Sequence, residues 1–211
     1  GIAVGDMTQS FGKLPISFAW SGAEMALISA HKVGGPKGVG ALVLKQGLDV
    51  DAGIKGGGQE MGRRPGTENL IGMAGFGAAA QAAIADLDAG VWGRVEKLRD
   101  ILESTLVADA NETIFVGKDA NRLPNTSCFA TPGWKGETQV MAMDLAGFAV
   151  SAGSACSSGK VKVSRVLGAL GLDDDAAASA LRVSLGIETT YDEVMRFAQA
   201  WTQKRARLRA A

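Results

Sequence analysis

Short apolar runs separated by glycine and polar turns mark the first third of the chain. Ile2–Val4 reads as a strand ending at Asp6, Met25–Ser29 as a second ending just before His31, and Gly40–Leu44 (GALVL) as a third. Runs of this length bounded by turn residues are the usual strand signal. Asn69 to Leu87 is rich in Ala and Gly and reads as a helix whose small side chains permit close packing, with Gly90 breaking it. From Val91 the texture changes. Val91, Val95, Leu98, Leu102 and Leu106 repeat at helical spacing and predict an amphipathic helix. Strand-like TIFVG (Thr113–Gly117) and NTSCFA (Asn125–Ala130) follow, then a helix around Glu137–Ala146 and a short strand near Phe148–Val150. SAGSACSSGK (Ser151–Lys160) is small and polar, which reads as a loop. LRVSLG (Leu181–Gly186) reads as a strand, and Thr190-x-x-Glu193 forms a capping box that opens the last helix.

This alternation predicts an α/β protein. The change of texture places a boundary near residues 88–92, giving 1–90 and 91–211. The chain opens GIAVGDMTQS, with no initiator methionine and a strand already under way, so it is expected to be part of a longer chain.

A length of 211 residues is enough for one large domain or two small ones with a real core. Hydrophobic residues make up 46% and charged residues 21%, and 22 Lys+Arg balance 22 Asp+Glu. That balance argues against a general nucleic-acid or membrane-surface binder. The basic tail Lys204, Arg205, Arg207 and Arg209 reads as a solvated helix end, with cations near the negative pole. No stretch reads as long and apolar enough to span a bilayer. The best candidate, Met73 to Ile84, is short and mostly Gly and Ala. No secretory signal is visible. Cys128 and Cys156 are far apart and in no metal spacing, so the chain is not a disulfide framework, no metal site is expected, and a reducing cytosol is the default.

The chemistry-bearing stretches are individually modest. In SAHKVGGPKGVG (Ser29–Gly40) the only histidine adjoins Lys32 ahead of a run of glycines. A lysine at a strand end among glycines can approach a flat ligand, and a partly desolvated lysine can form a Schiff base. A packed histidine beside a solvated lysine fits the same letters. DMTQSFGKLP (Asp6–Pro15) puts an aspartate at the C-terminal end of a strand, where α/β proteins bind ligands, though a turn or cap aspartate looks alike. GGGQEMGRRPGTEN (Gly56–Asn69) offers glycine amides, two arginines and a threonine ahead of a helix, a combination that can bind an anion or be a long surface loop. The spacing fits neither a P-loop nor a dinucleotide fingerprint. Cys156, among small flexible residues, is a candidate thiolate nucleophile. Cys128, inside an apolar strand pattern, reads as a core residue. Arg182 in LRVSLG is either outward-facing or half-buried, and a half-buried arginine needs an anion such as a carboxylate.

Together and in this order, DMTQSFGKLP, SAHKVGGPKGVGAL, GGGQEMGRRPGTEN, SAGSACSSGK and LRVSLGIETT resemble successive motifs of the cysteine desulfurases of the NifS/IscS-like type. These are pyridoxal-phosphate enzymes of the class V aminotransferase family. The resemblance runs along essentially the whole chain. It implies a fold type I transferase, with 1–90 the remainder of the cofactor-binding large domain and 91–211 a small α+β domain carrying the cysteine loop. The family's N-terminal portion, with its ring-stacking histidine, is absent, and Met7 stands where the family more often has Ala.

The resemblance further implies roles. Lys32 would form the Schiff base with pyridoxal phosphate, and His31 and Ser29 would contact its phosphate. Asp6 would pair with the pyridine nitrogen, and Gln9 with the phenolic oxygen. Thr67 would reach the phosphate of the neighbouring subunit's cofactor, implying a homodimer with shared sites. Arg182 would grip the substrate carboxylate, with Asn125 adding a hydrogen bond, and Cys156 would accept the sulfur. The implied activity converts L-cysteine to L-alanine and passes sulfur to an acceptor or scaffold protein for iron–sulfur clusters or thio-cofactors, in the cytoplasm, with neither nucleic acid nor membrane as partner. A selenocysteine lyase, another class V enzyme, or an inactive fragment serving as a scaffold are the competing readings.

Overall fold

The computed structural model describes residues 1–153 and 164–210. It divides into two compact units, Gly1–Val91 and Trp92–Ala211.

The first unit is built on a three-stranded sheet in the order β1 (Val4–Asp6), β2 (Met25–Ser29), β3 (Gly40–Leu44). β1 and β2 run parallel, with Asp6 opposite Leu27, and β3 returns antiparallel to β2. The first strand starts two residues later than the sequence pattern predicts. Ile2 has no ladder partner, and the ladder opens at Val4 opposite Met25, just after the Ala3 carbonyl takes the amides of Glu24 and Met25. Helix α1 (Leu70–Asp88) is capped by Asn69, whose side chain accepts from the Gly72 N–H at 3.0 Å. By length and composition α1 is apolar enough to cross a membrane, which corrects the sequence expectation that no stretch is. Its hydropathy comes from its alanines together with Leu70, Ile71, Met73, Phe76 and Ile84.

The second unit is an antiparallel sheet in the order β4 (Ile114–Phe115), β5 (Thr126–Ala130), β7 (Ala180–Ser184), β6 (Ser151–Ala152). The remaining elements are α2 (Val91–Asp109), α3 (Gly136–Asp144), α4 (Arg165–Ala169), α5 (Asp174–Ala178) and α6 (Tyr191–Arg209). One sheet face supplies Phe129, Leu181 and Val183 to a core with Val95, Leu98, Leu102 and Leu106 of α2, Met143 of α3, and Phe197 and Trp201 of α6. The other face sets Ala130 and Ala180 against Leu167 of α4 and Ala176 and Ala177 of α5. Period-2 alternation in β5 and β7 produces both faces.

Most departures from the sequence pattern have local causes. β4 is only two residues long because the Val116 N–H bonds the Cys128 carbonyl and the chain then turns at 117–120. β6 begins after Phe148 and Val150, which pack against the main core, and consists of Ser151 and Ala152, which pair with β7. α3 begins at Gly136, where a Cβ would stand 2.5 Å from the Ala180 carbonyl oxygen, so only glycine fits. α4 and α5 carry no long periodicity. Ser164 and Asp173 cap them, accepting from Leu167 N and Ala176 N. The last helix keeps its predicted capping box, with the Thr190 hydroxyl accepting from Glu193 N and the Glu193 carboxylate from Thr190 N.

The basic tail is not uniformly solvated. Arg205 is buried, stacks over the Trp201 ring at 5.8 Å and pairs with Glu112, which Arg209 also reaches at 3.2 Å. Cys128 is half-buried and not a full core residue. Its side chain lies on the Ala130 face, against the smaller cluster, and Ser127 and Phe129 take the main-core positions.

Candidate functional site

In the first unit, the parallel pairing of β1 with β2 brings two groups of residues to one edge, beyond the C-terminal ends of both strands. Asp6 closes β1, and Ser29 closes β2 ahead of a 3-10 turn spanning Ala30–Lys32. Ligands of α/β proteins bind at this kind of edge. The turn forms because the Ala30 carbonyl accepts both Val33 N at 3.0 Å and Gly35 N at 2.8 Å, with the Ala30 side chain fully buried beneath it. His31 and Lys32 are left exposed above it.

The Asp6 carboxylate accepts from the Thr8 N–H at 3.0 Å. That bond, then the Thr8 hydroxyl, holds its carboxyl below the ordinary aspartate value, so Asp6 is an anion at neutral pH. Ser29 Oγ and His31 Nδ1 are 2.9 Å apart, which orients the ring and leaves Nε2 for another partner. Gln9 is exposed, and its main-chain carbonyl accepts from Lys13 Nζ at 2.8 Å.

Lys13 is a residue the sequence reading passed over. Burial, then the charge of Lys32, pushes its amine below the usual lysine value, so two cationic side chains share this edge. The adjacent Gly12 accounts for the proximity. At φ +75° it is buried, and a Cβ there would meet Val33 Cγ2 at 2.6 Å and Ala83 Cβ at 2.9 Å. Glycine alone lets the turn after β1 press onto the segment that carries Lys32. The signal in the sequence was the Gly-Lys pair three residues after Gln9.

Thr67 is exposed in the loop before α1. The arginines of that loop are engaged within it: Arg63 with Asp49 at 2.8 Å, and Arg64 with the Pro65 and Gly66 carbonyls. Glu60 and Met61 hold left-handed φ values of 51° and 57°, a conformation of low population for residues with a Cβ.

In the second unit, Arg182 sits mid-strand on β7, half-buried, between Cys128 on β5 and Ser151 on β6. Its Nε is buried with no acceptor among the described residues. A buried unsatisfied donor costs about 1–3 kcal/mol, which an anion would offset. Asn125 is buried, but its amide works inside the fold. Nδ2 donates to the Leu185 carbonyl at 3.3 Å, and Oδ1 accepts from the Thr126 hydroxyl at 3.4 Å. Cys156 lies outside the described residues. In sequence it falls five positions after Ser151, the residue that pairs with Arg182.

Residues 2–197 match the family Aminotransferase class-V. The chain belongs to that family. It is 43% identical over 191 residues to a cysteine desulfurase of Cereibacter sphaeroides, covering 90% of this chain and 48% of that protein. A cysteine desulfurase of Sinorhizobium fredii is 40% identical over 204 residues, covering 94% of this chain and 52% of that one. Among solved structures, a NifS-like protein from Rickettsia africae superposes with a TM-score of 0.86 at 30% identity, covering 96% of this chain and 53% of that one. The fold is thus that of the NifS-like class V aminotransferases, as the motifs implied. The chain spans about half the length of the curated relatives it matches.

The donors present fit pyridoxal phosphate. An ionised carboxylate suits a pyridinium N–H, a hydroxyl and an imidazole suit a phosphate, and a primary amine suits an aldehyde. Asp6, Ser29, His31 and Lys32 provide these from the ends of adjacent parallel strands.

Proposed function

We propose that the protein carrying this chain is a pyridoxal-phosphate-dependent cysteine desulfurase that converts L-cysteine to L-alanine and holds the sulfur as a persulfide on Cys156. The observation that carries this reading is the edge of the first unit, where an aspartate held ionised stands beside the strand that delivers Ser29, His31 and Lys32. The similarity to proteins named cysteine desulfurase supports it along the chain.

Pyridoxal phosphate, when bound, supplies an electron sink for the substrate α-carbon. The remaining work belongs to the protein's residues. Asp6 keeps a proton on the ring nitrogen by offering it a fixed negative charge. Gln9 takes the phenolic oxygen, and Ser29 and His31 take the phosphate. Lys32 Nζ is the amine that would hold the aldehyde and, when free, would take the α-proton and return it. Arg182 offers its Nε–H and the rest of its fork to the substrate carboxylate, with Asn125 beside it. The Cys156 thiolate attacks the substrate sulfur. One S–S bond forms as the C–S bond breaks, the electron pair stays on carbon, and a proton added there completes alanine. The persulfide then passes to an acceptor protein for iron–sulfur cluster or thio-cofactor assembly. Thr67 serves the phosphate of a second copy's cofactor, which makes the active form a homodimer, and a reducing cytoplasm is the compartment that suits a thiol carrier.

Two readouts test this. Borohydride reduction of the cofactor-loaded protein should place the adduct on Lys32, located by peptide mass. Cys156→Ala should keep the cofactor colour and lose persulfide and alanine formation from cysteine. An adduct elsewhere refutes the cofactor site, and a Cys156→Ala variant that still forms alanine at the wild-type rate refutes the sulfur-acceptor role.

A further inference from the structure

Arg182 has two cross-strand neighbours, and they are not equivalent. In an antiparallel ladder, facing residues alternate between hydrogen-bonded pairs with Cα atoms about 5.5 Å apart and non-hydrogen-bonded pairs at about 4.5 Å, where side chains lie closer. The Cys128 carbonyl accepts from Val116 N on the β4 side, so its main chain points away from β7. The Leu185 N–H to Asn125 carbonyl bond of 2.8 Å sets the same alternation from the other end of the ladder. Cys128–Arg182 is therefore a narrow pair, and Ser151–Arg182, on the opposite side of β7, a wide one. The Cys128 side chain also packs against the Ala130, Leu167, Ala176 and Ala177 cluster. Burial raises the Cys128 thiol pKa while the Arg182 charge lowers it, so the guanidinium field is felt at Sγ.

The geometry points to Cys128 as a positioning residue for Arg182. Its small side chain in the narrow pair leaves the space in which the guanidinium stem lies, and so fixes where the Nε–H edge, unpartnered among the described residues, meets a substrate carboxylate. This rests on the reading of Arg182 as the carboxylate grip of a cysteine desulfurase. A larger residue at 128, packed between that cluster and Arg182, shifts the guanidinium. The loss then falls on binding of the carboxylate, and the sulfur-transfer chemistry is spared.

The test is steady-state alanine formation from L-cysteine by the cofactor-loaded protein and its Cys128→Ala, Cys128→Val, Cys128→Leu and Ser151→Val variants. Cysteamine, which is cysteine without the carboxylate, serves as a competing probe. KM should rise about threefold for Cys128→Val and about tenfold for Cys128→Leu with kcat within about twofold. Ser151→Val, in the wide pair, should shift KM less than Cys128→Val. Cys128→Ala should keep KM near wild type, and cysteamine inhibition should not change in any variant. Cys128→Val carries the test if Cys128→Leu fails to fold. A wild-type KM in Cys128→Val, or a loss of cysteine and cysteamine binding in parallel, overturns the assignment. A wild-type protein that forms no alanine overturns the functional reading first and this inference with it.

Discussion

Replacing Glu103 with glutamine should destabilise the second unit by about 2–3 kcal/mol, and the loss should depend on pH in a defined direction. The Glu103 side chain is 4% exposed and meets Arg122 through two bonds of 2.7 Å, while Ser127 Oγ donates to it at 2.7 Å. Removing one partner of a buried ion pair costs roughly 3–5 kcal/mol, because the other charge is stranded. Arg122 is 18% exposed and can turn partly to water, and glutamine can still accept from Ser127, which trims the figure. For a unit of this size the expected fall in melting temperature is about 10 °C. Burial pushes the Glu103 carboxyl up, but the hydrogen bonds from Arg122 and Ser127 and the charges of Arg122 and Arg99 outweigh it, and the group sits below its ordinary 4.5. A depressed carboxylate contributes stability that is fully present above the unfolded value and is lost as pH falls through the folded one. Urea unfolding followed by tryptophan fluorescence should therefore show the wild type losing stability below about pH 4.5, with a shallower acid limb in Glu103→Gln. Converting both partners to apolar residues, Glu103→Leu with Arg122→Met, should recover much of the loss. A single-variant loss under about 0.5 kcal/mol, or a double variant whose loss is the sum of the singles, would refute the reasoning.

Gln139→Leu should cost about 3 kcal/mol in the same assay, since Gln139 Nε2 donates to the Trp134 and Ser179 carbonyls and its Oε1 accepts from Trp201 Nε1, all within the core. A change under about 1 kcal/mol would mean that water or rearrangement satisfies those groups. The segment 92–210, expressed alone, should unfold cooperatively with native near-ultraviolet dichroism, whereas 1–91 alone should not; a cooperative transition in isolated 1–91 would show that its small buried set suffices.

The legibility of the chain divided along physical lines. β2 and β3 match their predicted bounds because each is a short apolar run ended by a change of backbone geometry, at the 3-10 turn after Ser29 and at Lys45. α2 was readable from Val95, Leu98, Leu102 and Leu106, which all face the core. α4 and α5 were not, because five-residue helices show too little period and only their caps distinguish them from loops. The burial of Arg205 was hidden for a different reason: its charge partner Glu112 lies in the turn between α2 and β4, and charge counting along α6 cannot find it. Among the candidate site residues, the types at Asp6, Ser29, His31 and Lys32 were legible from their motifs, whereas the approach of Lys13 depends on Gly12 pressing against Val33, 21 residues away in sequence.

The two units earn their shape by different means, and this bears on how the chemistry is held. The second buries Trp201, Phe129, Leu102, Leu106, Met143 and Leu181 almost completely, so the strand bearing Arg182 is braced by a dense apolar face beneath it. In the first, the buried apolar residues are Ala26, Ala30 and Ala83, while Trp20 is 90% exposed and Ile71 89%. Three alanines bury too little area to order a segment of that length at about 25 cal/mol per Å². The edge with Asp6 and Lys32 is therefore held chiefly by main-chain bonds, the β1–β2 ladder and the two amides on the Ala30 carbonyl, with the Gly12 turn in close contact with the Val33 side chain. Those bonds fix where the strand ends lie and leave His31 and Lys32 uncovered. Rigidity around Arg182 thus comes from packing, and rigidity at the Asp6–Lys32 edge from backbone geometry, so the two units should respond to different mutations.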